Sequence, residues 1–203
     1  MQKLLIATTN KGKIKEIGEF LKDLPVKLVS LKDVGISQDV EETGTTYEEN
    51  SRLKAVTYAK LSGIPAISDD GGLEISALNN EPGVQSRYWA GPEGKDDAII
   101  EKMKKVAKEL PEDNRKAVFQ TVITLALPEG SYWQVNGHVE GVIAKEPLIK
   151  VLHGYPYRSF FYLPEINKYY HESELTDREM KEYNHRWKAV NAIKSIIKEQ
   201  LHI

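Results

Sequence analysis

Residues 4–25 read LLIATTNKGKIKEIGEFLKDLP, an apolar run followed by apolar residues at helical spacing. The run at residues 4–7 ends in polar residues and is typical of a short strand buried on both faces. After it, apolar residues recur every third or fourth position until Pro25 stops the pattern. The chain therefore opens with a strand, a polar turn and a helix.

The same patterns predict the remaining elements. Strands are predicted at residues 26–31, 66–68, 118–127 and 132–143, with residues 128–131 as the hairpin turn between the last two. Helices are predicted at residues 47–61, around the apolar stripe of residues 99–110, and from residue 177 to residue 197. Helices mixed with parallel-type and hairpin-type strands indicate an α/β fold with a mixed sheet.

Length and charge restrict the size, the partners and the location of the protein. At 203 residues one domain is the default, with room for two lobes. The net charge of −2 excludes the basic footprint of a duplex nucleic-acid binder but allows a small anionic ligand. No apolar stretch approaches the roughly 20 residues of a membrane span, and the opening run is too short for a signal peptide. We expect a cytoplasmic protein with no nucleic-acid or membrane partner.

The polar turn after the first strand is a candidate phosphate site. It consists of Thr8, Thr9, Asn10, Lys11, Gly12 and Lys13. A turn that leads from a strand into a helix offers backbone N–H groups and the positive end of the helix dipole to an anion. Its spacing is not that of a P-loop. A polar turn with a solvated lysine face is the alternative, and local sequence does not decide between the two.

Two acidic pairs are candidate metal ligands. The chain has no cysteine, so any metal must take oxygen or imidazole ligands. Asp69 and Asp70 follow the predicted strand at residues 66–68 and would emerge at the carboxyl edge of the sheet, where two carboxylates favour Mg²⁺. Glu41 and Glu42 form the second pair. A simple Asp-Gly turn and a solvated acidic loop are the alternative readings.

Two further segments are candidates for contacting a nucleotide base. His185 and Arg186 lie in the predicted last helix, and an arginine can pair with phosphate or donate to a base carbonyl. Residues 153–157, with the sequence HGYPY, form an aromatic-rich turn that could stack on a base. An ordinary helix surface and ordinary turn packing are the alternatives.

In their order along the chain, these segments resemble the Ham1 (inosine triphosphatase) family of non-canonical purine nucleoside triphosphate pyrophosphatases. The resemblance is carried by residues 6–16 (IATTNKGKIKE), 41–50 (EETGTTYEEN) with Lys54 and Ala55, 68–74 (SDDGGLE), and 82–88 (PGVQSRY) with Ala90 and Gly91. A weaker block comprises residues 174–176 and 184–189. The resemblance extends from the first residue to the last helix.

The resemblance implies a fold and a reaction. The fold is an elongated mixed sheet flanked by helices, with two lobes around a central nucleotide-binding cleft, in a single domain over residues 1–203 that forms a homodimer. The reaction is Mg²⁺-dependent hydrolysis of ITP, dITP or XTP to the monophosphate and pyrophosphate, which cleanses the nucleotide pool. The alternatives are a pyrophosphatase with a different base preference and a catalytically silent nucleotide-binding protein.

The resemblance also implies roles for individual residues. Asp70 would be the base for the attacking water, and Glu41 and Asp70 would hold Mg²⁺. The predicted substrate-binding residues are Thr8, Thr9, Asn10, Lys11, Gly12, Lys13, Lys54, Gly71, His153, Gly154, Tyr155, Lys181, His185 and Arg186.

The chain departs from the family pattern at four places, one of which is Asn184, where the family usually has serine. Gly71 stands where the family usually has serine, and residues 153–158 read HGYPYR where the family usually shows Phe-Gly-Tyr-Asp-Pro. Met180 occupies the position of a family lysine; Lys181 is next to it, but one residue turns a side chain by about 100° around a helix. We therefore expect an intact phosphate and metal half and an altered base pocket.

Overall fold

The computed structural model describes residues 1–149 and 154–203. The strands are β1 (Gln2–Ile6), β2 (Val26–Ser30), β3 (Ala66–Ile75), β4 (Glu81–Pro82), β5 (Lys116–Ala126), β6 (Tyr132–Ile143), β7 (Phe161–Leu163) and β8 (Lys168–Tyr169). The helices are α1 (Lys11–Leu21), α2 (Tyr47–Ser62), α3 (Asp96–Glu109), α4 (Asp177–Tyr183) and α5 (His185–Leu201). Within the described residues, no helix is both long and apolar enough to cross a bilayer.

The described strands form one mixed sheet. Its order is β2-β1-β3-β5-β6-β7-β8, and the short β4 pairs with β3. β1 runs parallel to both β2 and β3, whereas β7 is antiparallel to both β6 and β8. The predicted α/β class with a mixed sheet and flanking helices is therefore confirmed.

The chain divides into two compact units, each with its own apolar core. Unit 1 consists of Met1–Asp70, Thr121–Gly137 and Arg186–Ile203, and unit 2 of Gly71–Gln120 and His138–His185. In unit 1, buried residues of α1 and α5 pack with those of β1, and α2 buries a second set that includes Tyr58. In unit 2, the stripe of Ile99, Met103 and Ala107 on α3 packs against aromatic residues such as Phe161.

One strand is longer than its sequence pattern predicted. Residues 66–68 were expected to form a strand that ends at Ser68, but β3 continues through Asp69, Asp70 and the two following glycines to Ile75. The prediction that Asp69 and Asp70 emerge at the carboxyl edge of the sheet is therefore wrong, because both lie inside β3, and the alternative reading as an Asp-Gly turn is wrong as well. Buried ion pairs on both carboxylates offset the cost of placing charges inside a sheet, and local sequence cannot reveal those distant partners.

The predicted last helix is in fact two helices. Asn184 adopts an extended conformation (φ −86°, ψ 113°) between α4 and α5, although no proline or glycine marks the break. α4 begins with a complete capping box between Thr176 and Glu179. His185 and Arg186 consequently lie in the first turn of α5, instead of inside a continuous helix. Apolar spacing that continues across residue 184 concealed this boundary.

Candidate active site

The predicted phosphate turn joins β1 to α1 as expected. Asn10 is the N-cap of α1, and its Oδ1 accepts hydrogen bonds from the backbone N–H groups of Gly12 (2.8 Å) and Lys13 (3.2 Å). The N–H of Asn10 itself donates to the Thr8 hydroxyl at 3.2 Å. The turn is therefore rigid, and two of the N–H groups expected to face a phosphate are bonded to the Asn10 side chain.

Asp69 and Asp70 have different environments because successive residues of a strand point to opposite faces of the sheet. Asp69 contacts Lys13 of α1 and Arg186 of α5, whereas Asp70 contacts Lys54 of α2. Both side chains are buried, so each charge depends on the cations on its own face.

Asp69 is fully buried and strongly bonded. Its Oδ2 accepts from the Thr121 hydroxyl (2.5 Å) and from Arg186 Nε (2.8 Å), and its Oδ1 contacts the Lys13 ammonium. Burial by itself would raise the pKa of Asp69, but the guanidinium and then the ammonium outweigh burial and hold that pKa well below its usual range. Asp69 is therefore a fixed anion that anchors two cations.

Arg186 bridges two acidic residues in unit 1. Besides Asp69, its guanidinium binds Glu16 of α1, with Nη1 donating to Oε2 at 2.5 Å. The Arg186 side chain is only 6% exposed. The sequence predicted that Arg186 binds the substrate; in the structure its guanidinium lies between these two carboxylates and fixes the start of α5 against α1.

The carboxylate of Asp70, unlike that of Asp69, has only one of its two oxygens bonded to a cation. Its Oδ1 accepts from Lys54 Nζ at 3.0 Å, whereas its Oδ2 is buried and has no hydrogen-bond partner among residues 1–149 and 154–203. Burial raises the pKa of Asp70, and the opposing charges of Lys54 and Lys13 do not cancel that effect. One oxygen of Asp70 is therefore available to an incoming group.

Lys54 connects Asp70 to the acidic loop before α2. Its Nζ donates to Glu42 Oε1 at 2.6 Å as well as to Asp70. Burial would lower the pKa of Lys54, but the charges of Asp70 and Glu42 raise it overall, so the ammonium stays charged. The carboxylate that shares this cation with Asp70 belongs to Glu42, although Glu41 and Glu42 are both exposed residues of that loop.

The donor groups around Asp70 suit a hard divalent cation. A preformed cluster of three or more His, Cys, Asp or Glu side chains does not occur in the described part of the chain. However, Asp70 Oδ2 is a buried carboxylate oxygen without a partner in that same part, and the Lys54 ammonium already lies between Asp70 and Glu42. Because carboxylate oxygens are preferred ligands of Mg²⁺, the residues present fit that ion.

The predicted substrate-binding residues of unit 2 lie in several elements. Gly71 is within β3, and Lys181 is exposed in the last turn of α4. The ring of His185 is buried, stacks on Phe119 (centroid distance 5.1 Å, interplanar angle 13°) and bonds through Nδ1 to the Tyr170 hydroxyl at 3.0 Å. His153 lies outside the described residues.

The turn at Gly154 and Tyr155 is attached to α3. The backbone N–H of Gly154 donates to Asp96 Oδ2 at 2.5 Å, and Asp96 is the first residue of α3. Tyr155 is half-buried, and the guanidinium carbon of Arg158 lies 3.8 Å from the centre of its ring.

Comparison with known proteins decides the family. A sequence profile of the Ham1 family matches residues 4–196. The chain belongs to the Ham1 family. This Ham1 protein is 39% identical over 196 residues to a dITP/XTP pyrophosphatase of Haemophilus influenzae, covering 96% of this chain and 98% of the relative. It is 36% identical over 197 residues to a dITP/XTP pyrophosphatase of Bacillus subtilis, covering 97% and 98%.

A solved structure agrees with this assignment. The Ham1 protein of Coxiella burnetii superposes with a TM-score of 0.83 at 33% identity, over 98% of this chain and all of the other. The fold described here is therefore that of the family.

Sequence reasoning missed several residues that hold the site of this Ham1 protein together. Glu16 binds Arg186, and Thr121 binds Asp69. Nothing in the local sequence distinguishes these two residues from an ordinary helix glutamate and an ordinary strand threonine. A buried hydroxyl cluster was also missed: Ser51 Oγ lies 3.0 Å from Ser68 Oγ and 2.7 Å from Thr124 Oγ1. It joins α2 to β3 and β5 beside Asp70.

Proposed function

We propose that this Ham1 protein hydrolyses the non-canonical purine nucleoside triphosphates ITP, dITP and XTP to the monophosphate and pyrophosphate. The proposal depends on the environment of the buried Asp70 carboxylate. Lys54 binds one of its oxygens, and the other oxygen has no hydrogen-bond partner among the described residues. Similarity to dITP/XTP pyrophosphatases over nearly the whole chain supports the substrate class.

Asp70 is suited to orienting and deprotonating water. Attack at the α-phosphorus requires a carboxylate that accepts a proton from water at a fixed position. Lys54 fixes Oδ1, so Oδ2 of Asp70 would accept the hydrogen bond from the attacking water. Asp69 is unsuited to this task, because Thr121, Arg186 and Lys13 already bind its oxygens.

Positive charge for the phosphates would come from lysines around the two aspartates. The Lys13 side chain is 18% exposed and the Lys54 side chain 9%, and each has a carboxylate partner with which a bound triphosphate would share the cation. The Thr8–Lys13 turn would add its hydroxyl groups and those backbone N–H donors that Asn10 and Thr8 do not already bind. Phosphoryl transfer of this kind needs positioning and charge neutralisation more than covalent chemistry.

Glu41 and Asp70 would hold Mg²⁺, with Glu42 as an alternative carboxylate because of its link to Lys54. Bound there, Mg²⁺ supplies neutralisation of the charge that develops on the leaving pyrophosphate. The proposal includes cytoplasmic location, a homodimer and a single two-lobed domain over residues 1–203, which rest on the sequence and its resemblance to the family.

Selection of the base would rest on residues of unit 2. Donors directed at the C6 keto oxygen would favour hypoxanthine and xanthine, because adenine has an amino group there and would leave those donors without an acceptor. Tyr155 and His185 are the described ring side chains that the sequence assigns to the base, and Lys181 lies on the neighbouring α4.

The deciding experiment is pyrophosphate release from ITP, XTP, dITP, ATP, GTP and the pyrimidine triphosphates, with Mg²⁺ and then with a chelator. We expect metal-dependent kcat/KM to be highest for ITP, dITP and XTP. Asp70→Asn should lower kcat on the order of 10²- to 10⁴-fold, as expected for loss of a general base. Asp23→Asn is the matched control, since Asp23 is exposed and pairs with Lys194 at the surface.

Each result of this panel has a defined meaning. Preference for ITP and XTP supports the proposal. Preference for other triphosphates would assign the protein to a pyrophosphatase with a different base specificity, in accordance with the altered HGYPYR segment. Nucleotide binding without pyrophosphate release would identify a silent nucleotide-binding protein, and full activity of Asp70→Asn would remove Asp70 from the mechanism.

A further inference from the structure

Arg158 is a buried cation enclosed by two aromatic rings of unit 2. Its guanidinium carbon lies 3.8 Å from the centre of the Tyr155 ring and 4.9 Å from the centre of the Tyr170 ring, and the residue is only 3% exposed. A cation over an aromatic face is attracted more strongly when it is removed from water. Arg158 therefore fixes the Tyr155 ring, which itself remains partly exposed.

The turn that carries Tyr155 is held at both ends. Before Tyr155, the N–H of Gly154 is bonded to the carboxylate of Asp96 on α3. After Tyr155, Arg158 lies against its ring. A side chain fixed on both sides loses little conformational entropy when a ligand binds to it.

Arg158 also connects this turn to His185. Tyr170, the second ring that Arg158 contacts, is fully buried, and its hydroxyl lies 3.0 Å from His185 Nδ1. His185 in turn stacks on Phe119. The two segments assigned to base recognition are therefore joined through one arginine and one tyrosine.

We propose that Arg158 is a positioning residue for base binding: it holds the Tyr155 ring in the orientation in which a purine stacks on it. Arg158 acts through Tyr155 and does not itself contact the reacting phosphates. The proposal rests on the proposed function, because it assigns a role in binding the same substrates. It also gives a role to an arginine in the segment where this chain departs from the family pattern.

The test measures KM and kcat for ITP in Arg158→Met, Arg158→Lys, Tyr155→Ala and the double variant of Arg158→Met with Tyr155→Ala. Loss of base stacking should raise KM on the order of 10-fold in Arg158→Met and in Tyr155→Ala, with kcat nearly unchanged because the phosphate half is intact. Arg158→Lys should recover part of the loss. The double variant should be no worse than Tyr155→Ala, because both changes remove the same contact.

Two controls separate positioning from general destabilisation. Arg115→Met removes another partly buried arginine of unit 2, whose guanidinium donates to the carbonyls of Ala107, Leu110 and Ile143. It should lower the melting temperature without raising KM. Tripolyphosphate is a ligand without a base, and its inhibition constant should be the same in wild type and Arg158→Met.

The outcomes also separate this inference from the proposed function. A wild type that releases pyrophosphate, combined with an unchanged KM in Arg158→Met or with additive effects in the double variant, would overturn the inference alone. A wild type without turnover would overturn the proposed function, and equilibrium binding of ITP would then decide the role of Arg158: weaker binding in Arg158→Met supports it, and equal or absent binding overturns it.

Discussion

Replacing Arg186 with methionine tests whether its guanidinium holds the buried cluster around Asp69. The change removes the bonds from Nε to Asp69 (2.8 Å) and from Nη1 to Glu16 (2.5 Å), while methionine retains much of the apolar stem. Asp69 is fully buried but keeps Lys13 and Thr121. Removing one partner of a buried ion pair costs about 3–5 kcal/mol, and with two contacts retained we expect about 3 kcal/mol.

The assay is equilibrium unfolding by urea at several pH values, with a thermal scan beside it. In a chain of this length, a loss of about 3 kcal/mol corresponds to a fall in Tm of roughly 6–12 °C. The loss should also depend on pH. The lowered pKa of Asp69 means that its ionised form stabilises the wild type above the unfolded pKa of about 3.9, and this contribution disappears as pH falls through the folded value.

The pH dependence has a definite sign in the variant. Without the guanidinium, less positive charge opposes the effect of burial, so the pKa of Asp69 is higher in the variant than in the wild type and protonation relieves the buried charge at a higher pH. The difference in stability between wild type and Arg186→Met should therefore be largest at pH 7 and smaller at pH 4. Arg115→Met is the control, because the Arg115 guanidinium binds backbone carbonyls, which do not titrate. The stability lost in Arg115→Met should therefore differ little between pH 7 and pH 4.

A loss below about 1 kcal/mol at pH 7, the range of a surface ion pair, would contradict this role of Arg186. A loss that stays constant between pH 7 and pH 4 would equally refute it. A second variant sharpens the test: Asp69→Asn combined with Arg186→Met removes the charge together with its partner, and should recover part of the stability lost by Arg186→Met.

Two further predictions concern catalysis and packing. Lys54→Met should lower kcat for pyrophosphate release on the order of 100-fold, because Asp70 loses the cation that fixes it. Lys60→Met, on the exposed face of α2, is the control and should leave kcat nearly unchanged. Equal kcat values for the two variants would contradict this role of Lys54. Gly141→Ala should lower the free energy of unfolding in urea by about 1–3 kcal/mol, because its Cβ would lie 2.5 Å from the Phe161 ring. Gly18→Ala is the control inside α1: its Cβ would have 4.0 Å of clearance, and the change should raise the free energy of unfolding by about 0.5–1 kcal/mol.

Much of the fold could be predicted because the spacing of apolar residues and the residues that cap or end each element are local features of the sequence. β6 has the bounds that were predicted, and α2 differs only at its last residue, since Thr46 and Gly63 cap its two ends. The extension of β3 could not be predicted, because Asp69 and Asp70 are stabilised inside the strand by cations from distant parts of the chain. The break at Asn184 likewise has no local signal of its own.

The candidate site could be predicted only as a set of residues. Sequence singled out Asp69, Asp70, Lys13 and Lys54, and the structure brings all of them together in unit 1. The sequence resemblance gave the catalytic role to Asp70, but only the structure shows the physical difference: Asp69 is bonded to its cations on one face of β3, while an oxygen of Asp70 remains available on the other. Glu42, not Glu41, makes the contact with Lys54.

The hydroxyl cluster of Ser51, Ser68 and Thr124 has a consequence for folding accuracy. A strand that slips by one residue against its neighbour turns all of its side chains to the opposite face. Such a slip of β3 would carry Ser68 away from Ser51 and leave buried hydroxyls without acceptors, at about 1–3 kcal/mol for each. The same slip would exchange the two aspartates between the sheet's faces. These uncharged side chains thus make mispaired chains unstable, and only correctly aligned molecules present Asp70 to Lys54.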